Sequence, residues 1–232
     1  MIPARHPAAT TSWRAIPPAA AALLAASLLT MVVLAHHPVA EHHLGIELIA
    51  DLARQGRATA QVHTLITVLV GALLYGVVAL ALHLDLRRPS IAFGLTVYGL
   101  GCAAMTGAML LDGFATSAMA GWLLAHGPAS AQAAAAGVAA PDLSSLALIA
   151  IGIQVLAKAG FVGMGVGMLC LSWSRPSATR LLAGLALPAG LLPALAIASG
   201  TVLRPPSLIA LTALQALWYL GAAWTLWRGT KP

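Results

Sequence analysis

Five of the eight histidines in this 232-residue chain fall between residues 36 and 63. They are His36, His37, His42, His43 and His63, and two long apolar runs flank them. Neutral imidazole binds zinc, copper, iron and nickel, and it predominates above a pKa of about 6.5. In a chain almost without charge, this cluster is the strongest chemical signal, and it points to a transition-metal or haem site.

Spacing narrows the ligand set. Pro38 pushes His37 into an extended backbone, so the apolar run before it should end there. From Glu41 to Gln55 the pattern turns helical: Leu44, Leu48 and Leu52 recur every fourth residue beside Ile49, and Gly56 is a plausible stop. This predicts a short amphipathic helix lying on the membrane surface. On it His43 and Glu47 share a face at i, i+4, so both can meet one ion. His63 can approach from the start of the next run, and His37 from the end of the previous one. The expected ligands are therefore His37, His43, Glu47 and His63, with His36, His42 and His126 as further candidates. Copper or another transition metal suits such a set. Haem suits it less, because bis-imidazole haem wants histidines inside facing spans. The chain contains no HExxH, CxxC or paired ExxH signature, so solvated loop histidines remain the competing reading.

The elements that position these residues are membrane helices. Hydrophobic residues make up 60% of the chain and charged residues 8%, against about a quarter charged in soluble domains. Such a composition builds a lipid-facing surface rather than a wet one. A span needs about 20 apolar residues, and six stretches qualify: about 16–35, 64–84, 91–111, 143–173, 181–203 and 208–227. The fold class expected is an all-α polytopic bundle, one integral membrane domain over 1–232. It has a tail at 1–15 and outer connections at 36–63 and 112–142. Pro188 and Pro193 should kink the fifth span. Arg88-Pro89-Ser90, Arg175-Pro176-Ser177 and Arg204-Pro205-Pro206-Ser207 read as helix-start punctuation rather than a repeat.

Charge sets the orientation. Arg5, Arg14, Arg87, Arg88, Arg175, Arg180, Arg228 and Lys231 fall on one side, and Arg54, Arg57 and Arg204 on the other. The positive-inside rule then places both termini in the cytoplasm and the histidine cluster outside. The Ala, Gly and Arg richness suggests a bacterial inner membrane, with the cluster at the periplasmic face. Residues 1–35 also resemble a signal peptide cleaved after Ala35. The net charge of +6 comes from single residues at span ends, so it matches lipid headgroups rather than nucleic acid.

Within the spans, Gly99, Ala103 and Gly107 recur by four, as do Ala159, Gly163 and Gly167. Small stripes let helix backbones approach closely, and pairing Gly107 with Gly163 sets Asp112 level with Lys158. Ionisable residues in spans are costly and mark paired or functional sites. Asp112, Lys158 and Gln154 are therefore candidates for an ion pair or a relay, with Gln154 as a hydrogen-bond partner of Lys158. Met105/Met109 and Met164/Met168 read as core packing, and Cys102 and Cys170 as buried thiols.

Three functions fit. One is a membrane protein holding a metal, for redox chemistry or metal handling. The second is a transporter using Asp112, Lys158 and Gln154. The third is a helper subunit that packs against a membrane-protein partner or a second copy of itself. No motif assigns an enzymatic reaction.

Overall fold

A computed structural model describes residues 18–41, 45–126, 144–173 and 180–229. These residues are almost entirely helical, and six of the helical stretches are long and apolar enough to cross a membrane. The elements are α1 (Pro18–Ala35), α2 (Gly45–His83), α3 (Pro89–Leu110), a π-helical turn (Leu111–Ala115), α4 (Thr116–His126) and α5 (Ser144–Trp173). There follow α6 (Arg180–Ala186), a second π turn (Leu187–Leu191), α7 (Leu192–Ala198) and α8 (Pro205–Gly229). Lipid-exposed backbone must satisfy its own hydrogen bonds, which is why an apolar chain of this kind resolves into helices.

The punctuation expected from Arg-Pro-Ser holds where it is described. Pro89 opens α3 after an extended Arg88. Pro205 opens α8, and the Arg204 N–H donates to Ser207 Oγ at 2.8 Å. Arg175 and Pro176 lie outside the described residues. Pro188 falls inside the second π turn, where a missing N–H is absorbed without ending the span.

Two expectations change. Residues 45–55 are helical, but the helix does not stop at Gly56: α2 runs unbroken to His83. Gly56 serves a close approach instead. A Cβ there would lie 2.8 Å from Ser117 Cβ, so α2 and α4 touch at this point. The connection expected at 112–142 also begins as helix, continuing α3 through the π turn to His126.

The tightest pair is α3 with α5, as the small residues suggested, but on a different face. A Cβ on Gly101 would lie 2.5 Å from Met164 N, and one on Gly163 2.9 Å from Gly101 Cα. A Cβ on Gly167 would lie 2.7 Å from Gly94 O. The seam is thus Gly94 and Gly101 against Gly160, Gly163 and Gly167. Gly99 faces open space, and Ala103 and Ala159 are exposed. Gly107 meets only the Leu156 side chain. The four-residue stripe was misleading because every third or fourth position of this Gly- and Ala-rich helix is small. The larger neighbours Tyr98 and Met105, both buried, decide which face turns inward.

Polar cross-links fix α8 to this pair. Trp218 Nε1 donates to Ser172 Oγ at 2.8 Å, and the Tyr98 and Tyr219 hydroxyls lie 2.7 Å apart. In a hydrocarbon core such bonds add about 1 kcal/mol each to the packing.

Candidate metal centre

His37, His63 and Asp112 converge at one end of the bundle. The segment after α1 delivers His37. Its N–H still donates to Leu34 O at 3.3 Å, and α2 anchors the residues beyond Pro38: Gln55 Nε2 donates to Val39 O at 3.2 Å, and Glu41 N–H to Asp51 Oδ2 at 3.1 Å. Asp51 is 2% exposed and ion-paired with Arg54. His37 is thereby folded back over α2.

His63 sits within α2 and is 1% exposed. Its Nδ1 lies 2.8 Å from the Thr59 carbonyl. A carbonyl only accepts, so Nδ1 carries the hydrogen, and Nε2 is the atom aimed at the cluster.

The π turn brings in Asp112. A π turn inserts one extra residue into the helical ladder and often marks a functional site. Here Thr116 Oγ1 donates to Leu111 O at 3.1 Å, satisfying a carbonyl of the turn. Gly113 faces the imidazole: a Cβ there would lie 2.6 Å from His63 Cβ and 2.9 Å from Cγ. Only glycine admits this approach, which places Asp112 Oδ2 3.1 Å from His63 Nε2.

The donor triangle closes with His37 Nε2, 3.3 Å from His63 Nε2 and 4.0 Å from Asp112 Oδ2. A circle through three points so separated has a radius of about 2 Å, the length of a metal–imidazole or metal–carboxylate bond. The imidazole rings meet edge to face at 4.9 Å. A proton between these lone pairs can serve one contact at a time, whereas a cation at the centre serves all three. Burial, then the neighbouring His63, hold the His37 pKa below that of free imidazole, which favours the neutral, ligating form. His37 Nδ1 is buried without a hydrogen-bond partner among the described residues. Beside the cluster lies a small pocket lined by polar Gln55, Thr59, Thr116 and Ser117, so further ligands can reach an ion from that side. Asp112, 33% exposed, is the member nearest to solvent.

The other expected ligands stand apart. His36 is exposed, and its Nδ1 donates to Val32 O at 2.8 Å. Glu47 is exposed and lies on the same continuous helix as His63. Sixteen residues separate them, or about 24 Å at 1.5 Å per residue, so they cannot share an ion. The unbroken α2 overturns that pairing. His42 and His43 lie outside the described residues; so does the side chain of His126, although its backbone ends α4.

Asp112 was expected level with Lys158, and the structure places it elsewhere. Along the observed α3–α5 seam, Leu111 packs against Gly152, so Asp112 is level with the residues beside Gly152, almost two turns from Lys158. Gln154 does not serve Lys158 as expected. Its amide donates to Leu203 O at 2.9 Å and accepts from Leu203 N–H at 3.0 Å, tying α5 to the link before α8. Sequence reasoning named Asp112, but not as a member of the histidine cluster. The available signal was positional: His37, His63 and Asp112 all border apolar runs at the same end of the bundle. Comparison with protein-family models, curated proteins and solved structures gave no match.

Proposed function

We propose that this membrane protein binds one divalent transition-metal ion through His37 Nε2, His63 Nε2 and Asp112 Oδ2. The observation that carries the reading is the donor triangle, with edges of 3.1, 3.3 and 4.0 Å. Two imidazoles and a carboxylate suit Cu(II), Zn(II) or Fe(II) better than Cu(I), which prefers sulfur. Copper remains our first choice for a His-rich site in an oxidising compartment. Three protein ligands beside a polar pocket leave positions for water or substrate, the pattern of reactive rather than purely structural sites. The function is then redox chemistry or metal handling.

We further place the protein in a bacterial inner membrane, with both termini cytoplasmic and the metal at the periplasmic face. The asymmetry of Arg and Lys across the connections supports this orientation. Elemental analysis of the protein purified in detergent tests the metal reading. Stoichiometric metal in the wild type, lost in His63→Ala and kept in His36→Ala, is the expected result. Equal metal content in all three proteins contradicts it.

A further inference from the structure

One turn beneath the metal donors lies a narrow cleft, with a cavity volume of about 60 Å³, between α1, α2, α3, α5 and α8. Ile66, three residues after His63, and Met109, three before Asp112, form its upper wall.

The lining is almost wholly apolar, and its chemistry is specific. Phe161 and Tyr219 supply aromatic surfaces, and Met105, Met109 and Met164 supply thioethers. Methionine sulfur is polarisable and contacts flat rings favourably, often at the ring edge. Gln215 also lines the cleft. It is 3% exposed, and its Nε2 has no hydrogen-bond partner among the described residues. An unpaired amide donor inside hydrocarbon is unfavourable, and a bound acceptor removes that cost. The hydroxyls of Ser27 and Thr30 on the α1 wall donate to Leu24 O at 3.0 Å and Ala26 O at 2.7 Å. Their oxygen lone pairs remain to accept a hydrogen bond from a ligand hydroxyl.

We propose that this cleft binds a membrane-soluble ring carrying a carbonyl, of the isoprenoid-quinone class, with Gln215 Nε2 donating to the carbonyl oxygen. A hydrocarbon chain fits the walls but leaves the amide unpaired. A phospholipid's ester carbonyls belong at the headgroup level, whereas Gln215 lies well inside α8. A reduced, dihydroxy ring finds its acceptors at Ser27 and Thr30. The proposal does not depend on metal being bound above it.

The test is equilibrium binding of decylubiquinone to the full chain in phosphatidylcholine nanodiscs, with lipid-only nanodiscs subtracted and decylbenzene as the carbonyl-free control. Measurements with and without chelator separate this site from the metal. The expected result is saturable binding of the quinone and not of the control, unchanged by chelator. Gln215→Leu should weaken it about tenfold, the worth of one buried hydrogen bond. Because the leucine removes an unpaired polar group, the empty variant should melt no lower than the wild type. Met105→Trp, which fills the cleft from α3, should abolish binding. Absence of saturable binding, equal binding of decylbenzene, or undiminished affinity in Gln215→Leu would each overturn the proposal.

Discussion

Gly113→Ala tests how the proposed metal centre is assembled, because the site depends on a backbone approach that one methyl group obstructs. The added Cβ would meet His63 Cβ at 2.6 Å, Cγ at 2.9 Å and Nδ1 at 3.3 Å. Ordinary carbon–carbon contact needs about 3.5–4.0 Å, so the π turn and α2 must separate by roughly 1 Å. His63 cannot yield by rotating, since its Nδ1 is bound to Thr59 O and its ring is enclosed. Separation by that amount lengthens the 3.1 Å contact between Asp112 Oδ2 and His63 Nε2, and an ion can no longer reach all three donors. Overpacking costs about 1–3 kcal/mol of stability. Metal affinity should fall at least as far as when a supporting contact is lost, about 10- to 100-fold. Competitive titration with a chelator of known affinity reads the second effect, and thermal unfolding in detergent reads the first. Gly99→Ala is the control, because nothing lies within 4 Å of its added methyl. Gly113→Ala that binds metal as tightly as the wild type and melts at the same temperature would refute the close approach of the π turn to His63.

Three further outcomes are expected from the packing. Gly101→Ala places a methyl 2.5 Å from Met164 N and should destabilise the protein by several kcal/mol where Gly99→Ala does not; parallel melting curves decide this. Gln154→Leu leaves the Leu203 N–H and C=O without their side-chain partner, at about 1–3 kcal/mol for each group left buried. Hydrogen exchange should then accelerate in residues 199–204. Lys158→Met and Asp112→Asn should lower stability additively, within about 0.5 kcal/mol, because the seam sets them almost two turns apart; a clear recovery in the double variant would restore the abandoned register.

Much of the architecture was readable because the bilayer imposes a length on apolar runs, and each of the six helical stretches long and apolar enough to cross a membrane overlaps one of those runs. The boundaries that failed did so for local reasons. Gly56 looked like a stop, yet a glycine commonly ends a helix by turning left-handed, and among the described residues the positive-φ glycines are Gly45 and Gly200. The helical face of α3 was misjudged because glycine spacing alone does not tell a close-packed residue from a lipid-facing one. That error carried Asp112 to the wrong neighbour. His37 and His63 were legible as members of the cluster from type and position. Their third partner was not, because it depends on a π turn, and a one-residue insertion in the hydrogen-bond ladder leaves no periodicity to read. Glu47 was favoured by the i, i+4 rule, which holds on one short helix but gives no distance to a residue four turns further along.

The most direct measurement is X-ray absorption at the metal edge of the protein purified with its ion. The proposed site requires two imidazole ligands and one carboxylate at about 2.0–2.2 Å, with one imidazole lost in His63→Ala and the oxygen shell altered in Asp112→Asn. A shell of sulfur at about 2.3 Å, a spectrum without imidazole scattering, or a purified protein that retains no metal would contradict the account.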